Sequence, residues 1–248
     1  MCLVTVIIPY FKKKKYIQDT INTVVTQTYK NLEIIIIYDD TDMSDLNYLK
    51  EIARSDNRII IIKNNNNLGA GLSRNEGIKK SSGEYIAFLD ADDLWHKEKI
   101  SKQIYFMKQN YLAISHTSYS IINDKTKKIA SIRHAKNFSH VNELLKSCDI
   151  GLSTVMLKKN TLLENNIKFP NLKTKEDFVL WLKLLIYKNK IFALKENLTT
   201  WRKSKNSLSS NILQKILDGF KVYNVYMEFN FIKSTYYLIC LSFNYLKK

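Results

Sequence analysis

The strongest constraint on how this chain can fold is an alternation. Within the first hundred residues, four short runs rich in β-branched and aromatic side chains (Leu3–Ile8, Glu33–Tyr38, Arg58–Lys63 and Tyr85–Leu89) are separated by stretches of helical spacing. Between the first two runs, Ile17, Ile21, Val24 and Val25 fall at i, i+4, i+7 and i+8, one face of a helix. A further helix is expected from about Ala70 to Ser81, with Gly83 as its stop signal. Strands alternating with helices in this way form a mostly parallel sheet with crossover helices.

After Asp93 the pattern changes. A helix near Lys99 to Asn110 leads into β-branched stretches at Ala113–Ile122 and Lys128–Arg133, separated by Asn123-Asp124-Lys125, which reads as a hairpin and makes the sheet mixed. Helical spacing returns at Phe178, Leu182, Leu185 and Ile186, and again at Ile212, Ile216, Phe220, Tyr223 and Met227. The resulting expectation is an α/β domain over residues 1–210, its halves at 1–100 and 101–210, followed by a basic and aromatic helical extension over 211–248. Its apolar tail, Tyr236 to Leu246, falls short of the roughly 18 apolar residues of a spanning helix.

Charge divides the chain in the same way. Residues 1–100 carry 14 basic and 14 acidic side chains, so the whole net charge of +16 lies beyond them. Such an excess attracts phosphates, anionic lipid surfaces and nucleic acid alike. No RNA-binding signature or zinc finger accompanies it, and a nucleic-acid partner is not expected. The basic run Lys12–Lys15 follows the first apolar run instead of preceding it, unlike a signal peptide. Cys2, Cys148 and Cys240 form no CxxC pair, which fits a reducing compartment. The expected location is the cytoplasm, peripheral on the inner face of the membrane.

Ligands of open α/β sheets bind beyond the carboxyl ends of the strands, and acidic residues gather there. Asp39 and Asp40 follow one run; Asp90, Asp92 and Asp93 follow another, within Asp90-Ala91-Asp92-Asp93. Helix capping accounts for one acid in such a cluster. Three in four residues point to Mg²⁺ or Mn²⁺, which take hard oxygen ligands. Gly69-Ala70-Gly71-Leu72-Ser73-Arg74 could bring a helix N-terminus to an anion. Arg74 in place of the third glycine argues against a dinucleotide fingerprint and for contact with a diphosphate or a base edge, beside the plainer reading of a salt bridge. Glu176-Asp177 opens a helical segment, where it either complements the helix dipole or does acid–base work.

Taken in order, the segments Val4–Phe11, Gln27–Ile36, Asp39-Asp40, Asn67–Ile78, Gly83–Trp95 and Glu176–Trp181 resemble the family 2 glycosyltransferases, over roughly residues 1–210. The resemblance implies the GT-A fold, a nucleotide-binding mixed sheet flanked by helices. It also implies inverting transfer of a sugar from a nucleotide-sugar donor, UDP-linked, to a glycan or lipid-linked acceptor in cell-surface polysaccharide or lipopolysaccharide synthesis. By the same resemblance Asp40 contacts the uracil, Pro9, Tyr10 and Phe11 lie by the base, and Arg74 lies near the nucleotide. Asp90-Ala91-Asp92 matches the DxD element, with Asp92 and Asp90 on an Mn²⁺ or Mg²⁺ cofactor. Asp177 matches the general base, with Glu176 beside it.

Three places depart from the family pattern. Lys12 stands where Asn is frequent, Asp39-Asp40-Thr41-Asp42 replaces Asp-Asp-Gly-Ser, and Ser204 in Trp201–Ser207 replaces a histidine. Lys203 or Lys205 could supply the missing charge there. Two other readings stay open from the residues alone. A sugar nucleotidyltransferase would carry a Gly-rich basic loop after the first strand, where Pro9-Tyr10-Phe11 has no glycine. A non-catalytic membrane- or nucleic-acid-binding protein would show salt-dependent binding without turnover.

Overall fold

The alternating runs become the parallel half of one sheet. In a computed structural model that describes residues 1–123, 126, 128–203 and 211–246, they are β1 (Val4–Tyr10), β2 (Leu32–Tyr38), β3 (Ile59–Lys63) and β4 (Tyr85–Phe88), paired in parallel in the order β3-β2-β1-β4. The crossovers are α1 (Lys14–Val25), α2 (Leu46–Arg54) and α3 (Ala70–Lys80). The sheet then becomes mixed, as the hairpin predicts. After the two-residue β5 (Leu94–Trp95) and α4 (Lys99–Gln109), β6 (Ile114–Asn123) and β7 (Ile129–Arg133) pair antiparallel. Their turn residues Asp124 and Lys125 lie outside the described residues.

Past α5 (Val141–Leu144), β8 (Met156–Lys158) wedges antiparallel between β4 and β6, joining the two halves of the sheet. It is followed by α6 (Lys159–Leu163), α7 (Glu176–Ile186) and β9 (Phe192–Lys203), which runs parallel to β6 and antiparallel to β5. Neither β8 nor β9 is announced by its own residues. β8 is only three residues long, and β9 carries Lys195, Glu196 and Asn197 in its middle, where its register against β6 is irregular.

Strand alternation divides the core in two. Val4, Val6, Ile8 and Tyr10 pack with Ile17, Ile21, Leu49 and Ile104 of α1, α2 and α4. Ile7, Ile35 and Ile37 pack on the other face with Ile78 of α3 and with Phe178, Trp181 and Leu185 of α7. Burial on both faces is why these strands are near-continuous apolar runs.

The C-terminal extension joins the second core. α8 (Ile212–Lys221) passes into a π-helical turn over Val222–Tyr226, the chain reverses at Glu228 with φ 55°, and α9 (Phe231–Leu246) follows. Ile212, Ile216, Phe220, Tyr223 and Met227 are therefore not one face, as their spacing predicts. An extra residue per turn rotates the later side chains by about 100°. Tyr223 and Met227 are buried, while Ile212 and Ile216 face outward. The Tyr223 hydroxyl donates to the Leu145 carbonyl at 2.6 Å, and its ring meets Phe178 edge-on.

The tightest packing of helix on sheet is at Gly77. A Cβ there would lie 2.6 Å from Cγ2 of Ile7, so α3 sits against β1 at a distance a side chain would prevent. Gly77→Ala is expected to destabilise the protein by about 1–3 kcal/mol through overpacking. In an Ile7→Ala background, which removes that Cγ2, Gly77→Ala should cost less than in the native chain, as a double-mutant cycle of thermal midpoints would show.

Candidate functional site

The carboxyl ends of β1, β2 and β4 share one edge of the sheet, and the loops there are held by carboxylates. Asp39, buried after β2, accepts from the backbone N–H groups of Leu68 and Gly69 at 2.8 Å each and from the Asn64 amide at 2.7 Å. This fixes the loop that starts α3. Asp40 is also buried, and its Oδ1 accepts from the backbone N–H of Asp42 in a local turn. Of the residues expected near a base, Tyr10 must be corrected. It is fully buried, stacked on Tyr38 with its hydroxyl on Asp45 at 2.7 Å, a core position instead of a ligand surface. Phe11, one residue on, is 40% exposed.

Arg74 is the junction of the site. It projects from the first turns of α3, buried, and donates to Glu176 Oε1 at 2.8 Å and to Asp90 Oδ1 at 2.6 Å. The guanidinium also faces the Phe169 ring at 5.5 Å. Burial works against its charge, and Asp90 with Glu176 outweighs that, so its pKa is raised. Its two terminal nitrogens are thus turned to protein carboxylates, the salt-bridge reading of Arg74, while Nε is buried with no hydrogen-bond partner among the described residues. Gly71 permits the arrangement, since a Cβ there would come within 3.0 Å of Glu176 Cγ and of the Pro170 carbonyl.

The acidic cluster after β4 divides its labour. Asp93 turns inward, accepting from the Ser153 hydroxyl at 2.6 Å and from the backbone N–H of Arg202 at 3.1 Å. Burial pushes its carboxyl well up. Ser153 in turn accepts from the backbone N–H of Asp90, so Asp93 sets the loop and anchors β9. Asp90 remains partly exposed, with 36% of its side chain accessible. Asp92 holds the Lys13 ammonium at 2.6 Å, and burial raises its pKa against that cation. The carbonyl of Ala91 between them is taken by the Thr20 hydroxyl.

Glu176 and Asp177 open α7, after Lys175 in a left-handed conformation with φ 67°. Burial pushes Glu176 up to about 7 against the pull of Arg74. Asp177 is also raised, by burial first, with Lys175 and Arg74 holding it down; its Oδ1 accepts from the backbone N–H of Phe178. A carboxyl so placed is nearer to neutral-pH proton exchange than a surface aspartate. Tyr119 of β6, its phenol pushed up to about 12 by burial, feels the charges of Asp93 and Asp177.

Sequence reasoning missed Ser153, Lys13 and Tyr119, and named Asp39 without a role. Lys13 was visible as part of Lys12–Lys15, yet nothing local tells which lysine of that run meets Asp92. Segment 204–210, with Ser204 and Lys205, lies outside the described residues. Among the described residues no three His, Cys, Asp or Glu side chains converge on one point. Asp90 and Asp92 nevertheless suit a divalent ion, because two hard carboxylates that already attract Arg74 and Lys13 leave other coordination positions to phosphate and water.

The family model described as Glycosyl transferase family 2 matches residues 5–177. The putative teichuronic acid biosynthesis glycosyltransferase TuaG of Bacillus subtilis (strain 168) is 32% identical over 246 residues, 99% of this chain and 97% of that protein. WfgD of Escherichia coli, a UDP-Glc:alpha-D-GlcNAc-diphosphoundecaprenol beta-1,3-glucosyltransferase, is 35% identical over 239 residues, 96% of this chain and 91% of that protein. Among solved structures, S. aureus TarS 1-349 in complex with UDP-GlcNAc superposes with a TM-score of 0.75 at 20% identity, covering 95% of this chain and 70% of that one. The mannosyltransferase PcManGT of Pyrobaculum calidifontis, in complex with GDP-Man and Mn²⁺, gives 0.71 at 12% identity, covering 96% and 70%. The sheet is that of the GT-A fold, and the chain belongs to glycosyltransferase family 2.

Proposed function

We propose that the protein transfers a sugar from a UDP-sugar to a lipid-linked glycan, with inversion at the anomeric carbon, from the cytoplasmic side of the membrane. The observation that carries this reading is Arg74, which gathers the end of β4 and the start of α7 around one guanidinium. Asp90 and Asp177 are thereby assembled at one site from segments far apart in the chain. The relatives support the substrate classes: WfgD is described with UDP-Glc and a diphosphoundecaprenol-linked acceptor, and TarS is seen with UDP-GlcNAc.

In this reading Asp40 and the β1 end around Pro9 and Phe11 border the uracil. Asp92 and Asp90 would hold Mn²⁺ or Mg²⁺. Such an ion neutralises charge that develops on a leaving diphosphate. Asp177 takes the proton from the acceptor hydroxyl as that oxygen attacks the anomeric carbon and UDP departs, one displacement that inverts the configuration. Glu176, tied to Arg74, positions the turn that bears Asp177.

Asp177→Asn is expected to lower turnover roughly 10²–10⁴-fold while UDP binding by calorimetry persists; loss of both together would make the residue structural. The acid limb of the wild-type pH–rate profile should lie above the ordinary aspartate range. Lys175→Asn, which keeps a residue tolerant of positive φ but removes the cation that holds Asp177 down, should move that limb to higher pH. Asp92→Asn should abolish the Mn²⁺-dependent part of UDP binding, and retained metal dependence would remove the assignment. Arg74→Met leaves a buried Glu176 unpaired and is expected to cost about 3 kcal/mol, read as a lower thermal midpoint that added UDP-sugar does not restore.

A further inference from the structure

α8 and α9 present an apolar surface that the described chain leaves uncovered. Ile212 and Ile216 on α8, with Ile232, Tyr236, Ile239 and Phe243 on α9, are 46–80% exposed. The four on α9 fall at i, i+4, i+7 and i+11, one stripe of a helix. An almost wholly apolar groove of about 360 Å³ opens between the two helices. Isolated exposed apolar residues are ordinary on protein surfaces, whereas a contiguous face marks an interaction site.

The edge of this face is cationic. Lys146, Lys215 and Lys233 lie over the rings of Tyr236, Tyr245 and Phe229, at 3.8–5.7 Å from the ring centroids. Of the two acidic residues in 211–246, Asp218 is buried, which leaves Glu228 as the exposed one. Asp218 instead accepts from the backbone N–H and hydroxyl of Thr174 at 2.9 and 3.0 Å. Through Thr174 it ties α8 to the turn that begins α7, three residues before Asp177.

We propose that the exposed face of α8 and α9, rimmed by Lys146, Lys215 and Lys233, seats the protein on an anionic lipid bilayer. Aliphatic and aromatic side chains would enter the headgroup boundary while the ammonium groups meet lipid phosphates. A second copy of the chain fits less well, because a two-fold contact through this face would set the same lysines against one another. The seat is interfacial: α9 has 16 residues, and no described helix is long and apolar enough to cross a membrane. The proposal rests on the lipid-linked acceptor for its use, since the Asp218–Thr174 tie would hold the proposed base near the membrane where such an acceptor lies.

The test is sedimentation of the full chain with vesicles of phosphatidylcholine, with and without phosphatidylglycerol, in the absence of any donor. Binding is expected to the anionic vesicles and to weaken as salt is raised. Ile216→Glu/Ile239→Glu should lower that binding at least about tenfold, and Lys215→Glu/Lys233→Glu about tenfold, with UDP binding by calorimetry unchanged in both. Wild-type binding by either variant, or equal binding to neutral and anionic vesicles, would overturn the proposal. So would a solution dimer that Ile216→Glu/Ile239→Glu splits, since a second copy would then cover the face. Vesicle binding with no transfer from any UDP-sugar would overturn the transferase reading and leave the seat standing.

Discussion

One buried cation holds this site together. Arg74 reaches from α3 to Asp90 at the end of β4 and to Glu176 at the start of α7, residues 16 and 102 positions away in the chain. A buried guanidinium is tolerable only when its donors meet carboxylates in good geometry, and removing either partner strands the other in a poorly solvated place. The three elements must therefore dock in one register. Lysine, a point charge without the planar fork, could not span the two carboxylates in the same way.

A second polar link does for the late strand what Arg74 does for α7. Asp93 accepts from Ser153 and from the backbone of Arg202, which fixes β9 against the loop after β4. Arg202 then continues to Asp19 on α1 at 3.2 Å, so β9 is tied to the first helix as well. The three aspartates of one short run have separate tasks: Asp93 builds the loop, while Asp90 and Asp92 keep the polar side of the cleft. The raised pKa values of Asp92, Asp177 and Glu176 share a first cause, burial, opposed in each case by a nearby cation.

The C-terminal helices divide between the same two demands of burial and exposure. Tyr223 and Leu241 complete the core behind α7, and Asp218 ties α8 to Thr174. The outer side chains of α8 and α9 satisfy no such contact. A π-helical turn separates these roles, because it rotates the chain so that one apolar series faces two ways.

By itself the sequence determined what depends on neighbours a few residues apart. β-branched runs gave the four parallel strands, helical spacing gave α1, α3, α4 and α7, and the acidic residues after β2 and β4 marked the carboxyl edge of the parallel strands. The order of the motifs gave the family as well. Tertiary structure decided which polar groups meet, because a partner 102 residues distant leaves no trace in local spacing. That is why Arg74 read equally well as a nucleotide contact, Tyr10 as a base contact and Asp93 as one of three alike, and why β9, polar and bent in register, stayed hidden until β5 and β6 stood on either side of it.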